Sequence, residues 1–276
     1  MTRLGAAGPS GELGLRSARV KAARQLGKKA FRERGRSFLA EGPQAVREAL
    51  RISGVVTELF VTAQGRARHP DLAAQADGLG LPVHEVGGDV MAELAQTVTP
   101  QGVLAVCRFV DVPLETLAGA APRLVVLLAN VRDPGNAGTV LRTADAAGAD
   151  GVIFSDASVD PYNSKCVRAS AGSLFHLPVV VGSPLRQAAA ALSRAGVRIL
   201  AADGSARLGL DQLEADRGLS GPTAWLFGNE AWGLPADLLA LADQAVAVPI
   251  YGRAESLNLA AAAAVCLYAS ARCQPG

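Results

Sequence analysis

Apolar residues in this chain fall into short runs, and most runs end in a glycine, an asparagine or a charged turn before a segment of helical period begins. In the first part, residues 37–40, 57–62, 81–86 and 102–109 read as strands, with helical segments between them. Ser17 is placed to cap a helix running to about Arg34, with Val20, Ala23, Ala30 and Phe31 on its buried side. Pro43 follows Glu41-Gly42 and stands where a first helical turn tolerates proline. Ala45, Val46, Ala49 and Leu50 then give that helix an apolar face.

From Arg123 a second alternation begins. Residues 124–129 are continuously apolar, as expected of a parallel strand buried on both faces. Further strands are expected at 151–155, 177–181, 197–202, 223–227 and 245–250, and helices at 138–147, 164–174, 184–195, 235–241 and 257–271. The pattern predicts two α/β domains, a small one at 16–109 and a larger one at 123–276. Residues 1–15, rich in Gly and Ala, are expected to be disordered, and 110–122, with two prolines, to form a linker.

The stretch 225–261 holds two blocks in which an apolar strand ends in a polar or Gly-rich loop and then enters a helix. One is Phe227-Gly228-Asn229-Glu230 with Gly233-Leu234; the other is Val248-Pro249-Ile250 with Glu255-Ser256-Leu257-Asn258. Open α/β sheets bind ligands at such strand ends. Another strand-end loop, after 124–129, reads Asn130-Val131-Arg132-Asp133-Pro134-Gly135-Asn136, strong turn chemistry with Asn136 as a natural N-cap. Arg142 six residues on, near a helix start, opposes the macrodipole; a phosphate partner would explain its place. No GxxxxGK[ST], GxGxxG or GxSxG is present, which argues against a P-loop protein, a dinucleotide-binding fold and the usual α/β-hydrolase.

Charge adds a partner class. Net charge is only +2, yet residues 16–36 carry nine basic side chains against the single acid Glu33. A cluster of that size suits a polyanion. The four cysteines form no CxxC pair and the three histidines lie far apart, so neither a metal nor a disulfide framework is expected. With no apolar signal segment and no run long enough for a bilayer, a cytoplasmic protein is expected.

Three blocks together resemble the SPOUT superfamily of RNA methyltransferases, SpoU/TrmH branch: Asn130 through Asn136-Ala137-Gly138 to Leu141-Arg142-Thr143-Ala144, then Phe227 through Glu230 to Gly233-Leu234, then Val248-Pro249-Ile250 to Glu255-Ser256-Leu257-Asn258-Leu259-Ala260. Val167-Arg168-Ala169-Ser170-Ala171-Gly172 fits the same pattern. Glu41-Gly42 and Pro100-Gln101-Gly102-Val103-Leu104-Ala105 are similar to a ribosomal-protein-like substrate domain. Leu259 departs slightly, standing where many members carry Val.

The resemblance implies a parallel-sheet SPOUT domain with a deep trefoil knot, S-adenosyl-L-methionine as cofactor, and methyl transfer to a ribose 2′-hydroxyl, with 23S rRNA the leading substrate. It places the cofactor against Phe227, Gly228, Val248, Pro249, Ile250, Ser256 and Leu257, with Leu200 near by. Asn136, Arg142, Glu230, Ser256 and Asn258 match the family's polar catalytic set; Arg142 is expected to clamp a phosphate beside the target ribose. RNA contacts are expected from Arg24, Lys28, Lys29, Arg32, Arg142 and Arg168. A homodimer through the C-terminal domain is implied. A tRNA enzyme of the same branch and a non-catalytic RNA-binding protein of the same fold are the other readings.

Overall fold

The computed structural model describes residues 12–95, 97–229 and 231–274. They form two compact units. One comprises the chain to Val110 together with Tyr162–Phe175; the other comprises Asp111–Pro161 and His176 onward.

The first unit runs through α1 (Ala18–Gln25), α2 (Lys29–Gly35), β1 (Ser37–Glu41), α3 (Pro43–Leu50), β2 (Val56–Val61), α4 (Ala63–Arg68), α5 (Pro70–Gly78), β3 (Val83–Glu85), α6 (Gly88–Leu94) and β4 (Val103–Arg108). Its sheet has the order β1-β4-β2-β3, with β3 parallel to β2 and the other pairs antiparallel. Val20, Leu39, Phe60, Met91 and Leu104 pack into one core on this sheet. Pro43 opens α3 at its first turn, as its fixed φ suits.

Two expectations fail here. The single basic helix is broken at Leu26-Gly27-Lys28, and Arg32 is the reason the break holds. Its guanidinium turns back to donate to the carbonyls of Leu26 (2.9 Å) and Gly27 (3.1 Å), capping α1, and it is buried. Expected disorder at 1–15 is corrected for residues 12–15: Leu13 pairs with Val86 and donates its N–H to Glu85 at 2.9 Å. Residues 1–11 lie outside the described residues.

The second unit begins with α7 (Leu114–Gly119), inside the segment expected as a linker. Leu117 packs so closely on Gly151 that a Cβ there would meet its methyl at 2.7 Å. Then come β5 (Leu124–Leu128), α8 (Pro134–Ala146) and β6 (Gly151–Ser155). Residues Tyr162–Phe175, with α9 (Ser164–Ala169), belong to the first unit. The expected 164–174 helix stops early because Ala171 and Gly172 take positive φ, 50° and 100°. The second unit resumes with β7 (Val179–Ser183), α10 (Leu185–Arg194), β8 (Arg198–Ala202), α11 (Leu210–Ala215), β9 (Thr223–Phe227), α12 (Ala236–Leu239), β10 (Gln244–Val246) and α13 (Leu259–Cys273).

These strands form one six-stranded sheet, order β10-β8-β9-β5-β6-β7, parallel throughout. Strands β5, β6 and β9 are buried at every position, which is why they read as unbroken apolar runs. Strand β10 ends at Val246, short of the expected 250, so Val248-Pro249-Ile250 is loop. Among the described residues no helix is long and apolar enough to cross a membrane.

Helix α13 closes the core over β9, β5 and α8. Burial on this helix pushes the Cys266 thiol up to about 12, so it stays protonated and inert at neutral pH. The Trp225 indole N–H, fully buried, donates to Ser270 Oγ at 2.8 Å. Ser270→Ala orphans that donor and should destabilise the protein by about 1–3 kcal/mol. Denaturant unfolding will measure it; an unchanged midpoint would mean the indole finds another acceptor.

Candidate functional site

The site grows from the carboxyl ends of β5, β8 and β9. Asn130, just past β5, takes a positive φ of 57°, which asparagine tolerates better than most residues. Its N–H donates to Ser155 Oγ (3.1 Å), and the next N–H, of Val131, donates to Ser158 Oγ (3.2 Å). The two hydroxyls lie 2.9 Å apart, and that of Ser158 also donates to the Leu128 carbonyl. This small polar network fixes where the post-β5 loop leaves the sheet.

Asn229 then ties the β9 loop to it. Its side-chain N–H donates to the Asn130 carbonyl at 2.7 Å, and its Oδ1 accepts from Ala231 N at 2.9 Å. Its backbone exchanges two hydrogen bonds with Gly233, whose φ of 67° closes the turn. Asn229 is buried, a role that its place in the 227–234 block does not by itself reveal. The signal that could have found it is an amide directly after a buried parallel strand and its glycine.

Helix α8 starts earlier than expected. Asp133, not Asn136, is the N-cap: its Oδ1 accepts from Gly135 N at 2.9 Å, and Pro134 takes the first helical position. Asn136 is thereby released into the first turn, where its Oδ1 accepts from Asn258 Nδ2 at 3.1 Å. Asn258 is itself the N-cap of α13, its Oδ1 accepting from Ala260 N at 2.9 Å. The structure thus joins two predicted catalytic residues at two meeting helix N-termini.

Arg142 is not joined to them. With α8 starting at Pro134, it lies well past the first turn, so the macrodipole argument for its partner fails. It sits about 9 Å farther along the axis than Asn136 and is rotated by about 120°. It is exposed and makes no hydrogen bond or ion pair among the described residues. Glu230 lies outside the described residues.

A cavity of about 290 Å³ opens beside this cluster. Phe227, Gly228, Val248, Ile250, Ser256 and Leu257 line it, six of the residues expected to hold the cofactor. Leu200 and Pro249 do not. Leu200 is buried inside β8 opposite Trp225; the strand end beyond it, Ala202-Asp203-Gly204, supplies that wall. Two carboxylates also line it: Glu255, within the expected 248–258 block, and Asp203, which the sequence did not point to. Asp203 accepts from Ser205 N and Oγ, both at 2.9 Å, which holds the β8 turn. Apolar walls with carboxylates at the rim suit a ligand with a flat heterocycle and a cationic tail.

The expected RNA contacts divide. Lys28 is exposed at the start of α2. Arg24 and Lys29 are exposed but paired, with Glu93 at 2.9 Å and Glu33 at 3.6 Å. Arg32 is withdrawn from the surface by its capping role, which removes it as an RNA contact. Arg168 donates to buried Glu41 at 2.8 Å within the first unit.

Gly228 cannot carry a side chain without moving the 229–233 turn. A Cβ there would meet Gly233 C at 2.4 Å and Leu234 Cγ at 2.8 Å. Gly228→Ala should therefore weaken S-adenosylmethionine binding about tenfold by displacing the cavity wall, an overpacking effect of about 1–3 kcal/mol. Calorimetry on the folded variant decides; unchanged affinity would remove the cofactor from this cavity.

Comparison with known proteins agrees with this geometry. The SpoU rRNA Methylase family model matches residues 123–268, and the MRM3-like substrate binding domain model matches 17–105. A Bacillus subtilis protein named 23S rRNA (guanosine(2553)-2′-O)-methyltransferase RlmP is 38% identical, over 91% of this chain and 94% of its own length. The crystal structure of an AdoMet-bound rRNA methyltransferase from Sinorhizobium meliloti superposes with a TM-score of 0.81 at 33% identity, covering 94% of this chain and 96% of that one. The SpoU methyltransferase AviRb from Streptomyces viridochromogenes, in complex with AdoMet, gives 0.80 at 28% identity, covering 93% and 98%. An α/β unit with a parallel sheet, a strand-end cavity beside Asn136 and Asn258, and a family match over most of the second unit lead to one conclusion: this chain belongs to the SpoU rRNA methylase family.

Proposed function

We propose that this protein is an S-adenosylmethionine-dependent methyltransferase acting on a ribose 2′-hydroxyl of 23S rRNA in the cytoplasm. The observation that carries the reading is the cavity at the ends of β8, β9 and β10, with the Asn136–Asn258 pair near by. The names of the relatives supply the substrate class. The apolar residues Val248, Ile250 and Leu257 would flank the adenine, with the backbone of Phe227-Gly228 beside it, while Asp203 and Glu255 would face the polar end. When bound, the cofactor supplies a methyl group already activated by a sulfonium.

The protein's own task is to hold the ribose oxygen in line and dry. Asn136, Ser256 and Asn258 orient the ribose, and Glu230 positions its loop. Arg142 clamps the neighbouring phosphate. A guanidinium stays protonated at every working pH, so it acts as a fixed charge rather than as a base. The exposed basic residues along α1, α2 and the turn between them, among them Lys21, Lys28 and Arg34, supply phosphate neutralisation for the RNA. The parallel sheet and the family match also support a trefoil knot in the second unit.

A homodimer through the second unit belongs to the same reading. Helix α13 buries Leu259 and Leu267 in its own core but leaves Val265 and Tyr268 exposed, at 43% and 46%, on one stripe with Ala261. An apolar stripe on an alanine-rich helix fits a second copy of itself. Sedimentation at micromolar concentration should find a dimer, and charges placed at Val265 and Tyr268 should give a folded monomer. A monomeric wild type would end this part of the reading.

Arg142→Ala should keep cofactor affinity and fold but slow single-turnover methyl transfer to saturating 23S rRNA by about two to three powers of ten. Arg142→Lys should recover little, since a point charge cannot reproduce a planar fork. A near wild-type rate for Arg142→Ala would reduce the residue to a surface arginine and leave the ribose site to Glu230 and Asn258 without a phosphate clamp at this position.

A further inference from the structure

The geometry points to Trp232, backed by Arg132, as a stacking platform for an unpaired nucleobase of the RNA substrate, next to the ribose to be methylated. This rests on the proposed function and adds a recognition residue to it. Of the two tryptophans, Trp225 is fully buried and hydrogen-bonded. Trp232 is 55% exposed although it sits in the turn that Asn229 and Gly233 close. Its neighbours Ala231 and Gly233 line the cofactor cavity. A large ring so placed is held at the site without contributing a buried side chain to the core.

One contact orients it. The Arg132 guanidinium lies 5.2 Å from the Trp232 ring centroid, a cation–π arrangement. Arg132 comes from the loop after β5, the same loop that leads to Asn136, so the pair joins the two loops that Asn229 also stitches. With Arg132 over one face of the indole, the exposure of the residue leaves ring surface for a second flat partner. Every nucleobase offers a π-face, and a cation behind the indole adds to the attraction for a base within a polyanion. The occupant this combination fits is a base of single-stranded or splayed RNA. Such recognition is how RNA loops are ordinarily read.

Tryptophan emission tests this on the unmodified protein, because Trp225 is shielded and Trp232 is the solvent-facing reporter. Short oligoadenylate should quench the emission saturably. Trp232→Ala should lose the quenching and raise KM for 23S rRNA by about tenfold or more. Trp232→Phe should recover most of the affinity, and S-adenosylmethionine affinity should hold in both variants. Wild-type emission indifferent to oligoadenylate, or an unchanged KM in Trp232→Ala, would overturn the platform. So would an unchanged RNA affinity accompanied by a shift from dimer to monomer, which would place Trp232 between subunits. If oligoadenylate quenches Trp232 but the wild type methylates no rRNA, the platform stands and the proposed reaction falls.

Discussion

The hydrogen bond from the Asn229 side chain to the Asn130 carbonyl holds together what two separate strands deliver. Strands β5 and β9 are neighbours in the sheet, but each ends in its own loop, and nothing in a parallel ladder fixes two loops relative to each other. A buried amide satisfied on both its nitrogen and its oxygen does so. The loop after β5 then leads directly into Asp133, Pro134 and α8, while the loop after β9 forms the wall of the cavity. The meeting of Asn136 with Asn258 depends on this, since α8 can present Asn136 only if its first turn is anchored. An unsatisfied amide in that position would cost about 1–3 kcal/mol, enough to loosen both loops together.

Much of the fold could be read from residue order because buried parallel strands announce themselves. β6 and β9 occupy the expected residues, being continuous apolar runs bounded by turns. Helix starts were harder. Asp133 and Asn136 are both good caps, and the residue type does not say which one is used; Pro134 at the first turn settled it for Asp133. The broken basic helix was hidden for a different reason. Nothing in a charge pattern shows that one arginine, Arg32, will abandon the surface to cap the preceding helix. Helix α7 is hard to see in the sequence because its buried residue, Leu117, lies among small residues and prolines.

The site divides in the same way. Residues on the lining could be placed because they follow strands, and six of the eight expected for the cofactor are there. Leu200 failed by a shift of two along its strand: the sheet interior takes the leucine, and the strand end takes Ala202 and Asp203. The Asn136–Asn258 contact joins residues 122 positions apart. No local rule reaches that far; only the family resemblance grouped the two. Arg142 stands apart from both, its guanidinium exposed and bound to no partner among the described residues.

The register that pairs Leu124 with Thr223 has a consequence for how the chain reaches this state. The central ladder of the second unit joins strands separated in the chain by three other strands and their helices, and every rung is parallel. Closing so long a loop is entropically costly before any rung forms, so the middle of the sheet is slow to nucleate. Until β9 arrives, β5 holds one unpaired edge of five apolar residues. That edge is a template for pairing with another nascent chain. Late pairing and a transiently open apolar edge are therefore built into the same ladder that later underlies the cavity.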